Sequence, residues 1–316
     1  MLSFYWSVHL SKKKGSCIMN VSPMLKMVIA MSIFGSVGLF TVKTGIPAIQ
    51  LVLVRCVFAT VFLGGCWIAA GQHKKEIWQA REVFLTVLCG IFLVMNWVFL
   101  FKAFEVMPIS VAISIYHLAP ILLLILGAVC FREKIHLLSW LFILMCFGGS
   151  VLMIGIKASV SWEGLFSSGF IWALCAALFY ALTMFFGKLI RHLSPYATTF
   201  IQTTVGILIL LPFFDVHAFS HLSGMNWLFI VGTGFIHTGL VYYLFFDSIR
   251  QLPTVHMSAL VFLDPAVAIM LDVALLGFRP SIWQVAGIIL IFAGMAYTTF
   301  PKKSRIQQSH AEKNGF

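Results

Sequence analysis

The chain has 316 residues, of which 61% are hydrophobic and only 10% charged, and its formal net charge is +11. Soluble domains carry about 25% charged residues, so this composition cannot cover a water-exposed surface and the bilayer must be the solvent. The positive charge does not mark a nucleic-acid binder, because the basic residues lie mostly in short loops and tails between apolar blocks, where they report topology.

Residues 1–23 form an N-terminal extension in which Lys12, Lys13 and Lys14 follow a short apolar stretch at 2–10. A secretory signal has the reverse order, and Met19 and Met24 are alternative starts. Ten apolar segments follow, near 24–42, 48–70, 83–102, 108–130, 136–156, 167–187, 196–214, 225–246, 253–276 and 282–300. Each is long enough to cross about 30 Å of hydrocarbon as a helix, and only helices satisfy the backbone of such spans internally. A polar cytoplasmic tail, 301–316, closes the chain. The predicted fold is an all-α polytopic membrane protein with ten transmembrane helices.

Loops assigned alternately to two sides test that count. The N-terminal side receives sixteen of the 21 Lys and Arg, the opposite side receives Lys43, Lys102, Lys157 and Arg279, and Arg55 lies inside the second span. A missed span would exchange every later loop and erase the asymmetry. Cytoplasmic loops are the basic ones, so both termini are expected in the cytoplasm.

The chain also reads twice. At an offset of 145 positions Pro108 meets Pro253, Pro120 meets Pro265, Lys43 meets Lys188, Phe34 meets Phe179 and Gly149 meets Gly294. Two repeats are predicted, 24–156 and 167–300. Five spans per repeat is an odd number, so the second repeat enters from the opposite side and the two are inverted. The seven cysteines form no C-x-x-C pair and read as small buried hydrophobes, with no metal or other cofactor implied.

Phe34-Gly35, Lys43, Pro47 and Arg55 in the first half resemble the opening of an EamA-domain transporter repeat. Pro120, Arg132-Glu133-Lys134 and Gly148-Gly149 resemble its close, repeated by Asp264-Pro265, Gln284, Gly287 and Gly294. The chain thus resembles the EamA-domain transporters of the drug/metabolite transporter superfamily across residues 24 to 300. Phe278 departs from the family pattern, standing opposite Glu133 where an acidic residue is usual, and Phe34 stands where Trp is common. The resemblance implies a ten-helix inner-membrane carrier of small metabolites.

Interrupted helices at matching positions of two repeats point to a midplane site. Pro120 and Pro265 are such a pair, each expected to bend its helix near the middle. Asp264 precedes Pro265, and a charge at that depth needs a partner, so it is a candidate for binding a cationic group or carrying a coupling proton. Capping loosened backbone at the kink is the competing role. Asp272 is expected nearer the interface. Tyr116 and His117 precede Pro120, where a histidine suits substrate contact or proton relay, or alternatively a bond to another helix. His237 has weaker claims because no symmetric or kinked pattern surrounds it.

Asn96 and Trp97 lie deep in the third span, and Tyr242 is the repeat equivalent of Trp97. With Tyr180 they combine bulk and a polar handle, and so suit the wall of a substrate cavity. Arg55, which matches the family arginine, is expected as a buried structural or gating charge.

These residues favour a secondary transporter of an amino acid or related zwitterion, working by alternating access. An S-adenosylmethionine or nucleoside-like carrier is the alternative substrate class. An integral-membrane enzyme or lipid translocase is the alternative of another class. Without H-x-x-x-x-D, H-E-x-x-H or Walker A patterns, and with short loops, the enzyme reading has little to build on. The expected partners are a small-molecule substrate, membrane lipids and protons.

Overall fold

A computed structural model describes residues 22–106, 109–130, 132–133, 135–154, 168–276 and 279–299. Pro108, Phe278, the extension up to residue 21 and the tail lie outside the described residues, as does the side chain of Asp272. The described regular structure is entirely helical. Its helices are α1 (Pro23–Gly35), α2 (Val37–Val42), α3 (Ala48–Ala69), α4 (Ala80–Val106), α5 (Ile109–Tyr116), α6 (Ala119–Cys130) and α7 (Leu137–Ile154). They continue with α8 (Ser168–Leu189), α9 (Pro195–Leu210), α10 (Gly224–Gly232), α11 (Val241–Ile249), α12 (Thr254–Val261), α13 (Leu263–Leu276) and α14 (Ile282–Thr299). A π-helical segment, Thr233–Leu240, joins α10 to α11.

Six helical runs among the described residues are long and apolar enough to cross a membrane, and four shorter apolar helices accompany them. The shorter ones have local causes. The predicted span 24–42 divides at Ser36, whose N–H and hydroxyl both bond the Ile33 carbonyl, at 3.0 and 2.7 Å. The span 108–130 divides at His117–Leu118. Proline lacks the N–H that would bond four residues back, and its ring crowds the preceding turn. The chain therefore closes one helix with a Leu118 N–H to Ile115 carbonyl bond of 2.9 Å and opens another at Ala119. The ninth apolar run, one of the six long ones, is likewise interrupted, by a single turn residue at Phe262. Pro120 and Pro265 thus lie in the first turn after each interruption, where a missing N–H costs nothing.

Starts elsewhere are capped. Ser22 and Ser194 each accept from an N–H three residues on, with proline opening the helix, and Ser223 forms a capping box with Asn226. Packing brings α4 against α8, α1 against α11, α3 against α9 and α7 against α14. Further contacts join α6 to α8, α1 to α13, α3 to the π segment, α4 to α9 and α6 to α12. The α7–α14 crossing needs glycine: a Cβ on Gly149 would lie 2.6 Å from the Gly287 carbonyl oxygen, and one on Gly294 would lie 2.9 Å from the Phe142 carbonyl oxygen. One extended cluster of buried residues runs through the bundle.

Candidate functional site

The two helix breaks and the middle of α4 meet inside the bundle. On α4, Asn96 donates to the Ala176 carbonyl of α8 at 2.8 Å and accepts from the Tyr116 hydroxyl at 3.3 Å. Tyr116 stacks on Tyr180 with ring centroids 5.0 Å apart and planes 3° from parallel. Trp97, the next residue on α4, meets Tyr242 edge-on at 5.6 Å, and Tyr242 meets Phe34 at 5.2 Å. Adjacent residues on one helix lie at the same depth within about 1.5 Å, so α4 joins both aromatic groups at one level.

His117 sits in the turn between α5 and α6, beside the start of α13. Its Nδ1 is 2.9 Å from the Ile113 carbonyl, which can only accept, so Nδ1 carries a proton. In the neutral ring, Nε2 then presents a lone pair, and it lies 4.0 Å from Asp264 Oδ1. A lone pair facing a carboxylate repels it, unless a proton or another positive group is shared there. The Asp264 side chain is 34% exposed although Leu263, Pro265 and Ala266 around it are buried. It faces open space rather than packed neighbours. Gly35 makes this approach possible, since a Cβ there would lie 2.7 Å from the Asp264 carbonyl oxygen.

A second polar group borders the first. Arg55 Nε donates to Thr238 Oγ1 at 2.9 Å, and its guanidinium lies 5.3 Å from the Trp97 ring. Thr238 belongs to the π-helical segment and bonds the Thr233 carbonyl five residues back, at 3.0 Å. His237, beside it, pairs with Ser36 at 2.9 Å at the break between α1 and α2. Because the Ser36 hydroxyl already donates to Ile33, His237 is the donor in that pair.

All the predicted site residues therefore fall in one connected region: Asn96, Trp97, Tyr116, His117, Tyr180, Tyr242 and Asp264, with Pro120, Pro265 and Arg55 around them. His237, given weaker claims from the sequence for want of a symmetric or kinked pattern, lies within a π segment, a frequent companion of functional sites. Gly234 and Gly239 of that segment pack on Phe58 and Phe62. Ser36 and Thr238 were missed altogether. No group of His, Cys, Asp and Glu suited to a metal is found among the described residues.

Elsewhere, a cavity of about 780 Å³ opens among Glu133, Lys188, Arg191, His192, Asp247 and Arg250, away from the predicted site residues. Here Lys188 Nζ donates to Glu133 at 2.6 Å and to Thr254 Oγ1 at 2.7 Å, and Thr254 donates onward to Glu133 at 2.9 Å. Lys26 pairs with Asp247 at 2.5 Å, and Arg250 bonds the Leu193 carbonyl and Thr198.

A profile of EamA-like transporters matches residues 21–155 and again 167–300. The chain belongs to the EamA-like transporter family. A relative from Bacillus subtilis (strain 168), the uncharacterized transporter YxxF, is 52% identical over 295 residues, covering 93% of each chain. A solved crystal structure superposes with a TM-score of 0.75 at 20% identity, covering 88% of this chain and 97% of that one, which shows the fold. This EamA-like transporter is thus a membrane protein that handles a small molecule, and the polar, aromatic region between its broken helices is its candidate substrate site.

Proposed function

We propose that this chain is a secondary transporter that carries an amino acid or related zwitterion across the inner membrane by alternating access. The observation that carries the reading is Asp264: a carboxylate with open space beside it, facing the His117 lone pair at 4.0 Å, where two matching helix breaks meet an aromatic wall. A substrate ammonium or a proton relieves that repulsion, so the same pair suits substrate binding and proton coupling. The parallel Tyr116–Tyr180 stack also suits a flat ring, which keeps a nucleoside-like cation as the second reading.

Ten spans in two inverted repeats complete the proposal. In its support, several helix contacts recur on exchange of the halves: α4–α8 is answered by α11–α1, α6–α8 by α13–α1, and α3 on the π segment by α9 on α4. The α3–α9 and α7–α14 contacts are their own counterparts. The halves also differ in shape, since α1 breaks at Ser36 while α8 runs unbroken through the equivalent position. Exchange of two such shapes is what alternates access in inverted-repeat carriers. Both termini and the Lys188–Glu133 face are assigned to the cytoplasm.

Proteoliposomes tested with the twenty labelled amino acids, S-adenosylmethionine and adenosine, with and without a pH gradient, decide the matter. Uptake of at least one amino acid, driven by the gradient and lost in Asp264→Asn, is expected. Uptake of adenosine alone, or of nothing, refutes it.

A further inference from the structure

The chain stays apolar at the turn from α9 into α10. Asp215 is the one Asp, Glu, Lys or Arg in residues 211–227, which include Phe213, Phe214, Phe219 and Trp227. The segment is folded, with 3-10 turns at Leu211–Phe213 and Val216–Phe219 and the start of α10 at Gly224. Yet Leu211, Phe213, Phe214, Val216, Met225 and Trp227 are 38–62% exposed. Apolar side chains exposed together in this way mark an interaction surface, whereas singly scattered ones do not.

The polar groups of the segment turn back onto the protein. Gln50, near the start of α3, donates to the Phe213 carbonyl at 2.7 Å and accepts from the Asp215 N–H at 3.2 Å. Asp215 accepts from the His217 N–H at 2.9 Å, and the Ser220 hydroxyl donates to the His217 carbonyl at 2.7 Å. Phe214, Phe219 and Trp227 form a row with ring centroids 5.8 and 6.0 Å apart, which joins the segment to α10 as one piece. Asn226 of α10 donates to the Lys43 carbonyl at 3.0 Å, and Lys43 lies over Phe229 at 5.2 Å. The loop between α2 and α3 is thus held by the same piece.

We propose that residues 211–227 are an interfacial anchor, seated at the glycerol and upper acyl level of the leaflet opposite the Lys188–Glu133 face, and that this anchor holds the Lys43 loop. The depth follows from α9, which begins at Pro195 on the rim of the 780 Å³ cavity and ends at Leu210, about 23 Å away along its axis. The occupant follows from continuity: Leu208 of α9 and Leu228 of α10 are exposed on either side, so the segment extends the lipid-facing surface of two spans. Aromatic rings favour that level of a bilayer, and short amphipathic pieces lie along it. With no Lys or Arg in the segment to pair with a phosphate, the contact is with the apolar part of the lipid and does not depend on headgroup charge.

The test places nitroxide labels on Leu208→Cys, Phe213→Cys, Val216→Cys and Ser220→Cys, one at a time, in the cysteine-free full chain in phosphatidylcholine nanodiscs. Relaxation by oxygen, which concentrates in lipid, is compared with relaxation by a water-soluble nickel chelate. The labels at 213 and 216 should favour oxygen about 5- to 10-fold more than the label at 220, as the label at 208 does, and phosphatidylglycerol should leave the ratios unchanged. Labels at 213 and 216 that favour nickel would put the segment in water. Labels shielded from both reagents would mean a protein cover, from this chain or a second copy. Either result overturns the anchor. For the hold on the loop, Lys43→Cys should react with a water-soluble maleimide about 3- to 10-fold faster when Phe213→Ser and Val216→Ser are added. Gln50→Leu, which frees the segment from α3 and keeps its apolar side chains, should raise the rate in the same way. Equal rates in both backgrounds overturn the hold.

Discussion

Glu133→Gln tests whether the ionic contacts around Lys188 act as a gate. The Glu133 carboxylate accepts from Lys188 at 2.6 Å, from the Thr254 N–H at 3.3 Å and from the Thr254 hydroxyl at 2.9 Å. These bonds tie the loop after α6 to the end of α8 and the first residue of α12, three elements that must separate to open that face. Glutamine keeps the size and one acceptor but removes the charge. Bonds to a charged group contribute about 1.5–3 kcal/mol each when buried; the Glu133 side chain is 27% exposed, so solvent screening brings the network to about 1–2 kcal/mol. That loss shifts the equilibrium about 5- to 30-fold toward the state open on the Lys188 side.

Leu193 reports the change, because it lines the 780 Å³ cavity and is 1% exposed. In a cysteine-free background, Leu193→Cys should react with a maleimide about 5- to 30-fold faster when Glu133→Gln is added. Lys43→Met is the control. Lys43, the repeat equivalent of Lys188, lies over the Phe229 ring at 5.2 Å instead of against a carboxylate, and its loss should leave the rate unchanged. An unchanged rate in Glu133→Gln would refute the gate.

Three further outcomes follow from the same geometry. Asp264→Asn should abolish stimulation of uptake by a pH gradient while leaving counterflow exchange measurable; stimulation that survives removes the proton role. Tyr116→Phe loses the Asn96 bond but keeps the Tyr180 stack, so affinity should fall by a factor of about 2–10, corresponding to about 0.5–1.5 kcal/mol, in an uptake titration. Gly149→Ala forces a methyl toward the Gly287 carbonyl and should destabilise the α7–α14 crossing by about 1–3 kcal/mol, seen as a lower melting temperature in detergent.

Composition and span length made the membrane class and the helical fold legible, because hydrocarbon leaves the backbone no other satisfied form. The candidate site residues stood out in the sequence for a related reason. Asp264, His117, Asn96 and Arg55 are costly at their depth, so their presence in apolar blocks already required company. The local breaks were harder to read. Hydrophobic residues cover every face of these helices, so no periodicity marks where one half-helix stops. Pro120 and Pro265 gave the neighbourhood, but each break falls two or three residues earlier, where the proline ring meets the previous turn. Ser36 ends α1 by turning its own hydroxyl back on Ile33, a choice that a serine in any membrane helix can make. The π segment around His237 depends on tertiary contacts of Gly234 and Gly239 with two phenylalanines of α3, which sequence spacing does not show.

The most direct test of alternating access is the reactivity of a single cysteine at position 264 in a cysteine-free background. A membrane-impermeant thiol reagent added to oriented vesicles from either side, in separate experiments, should modify Asp264→Cys both times. Modification from one side only, with the other face silent under all conditions, would contradict a site shared by two access states.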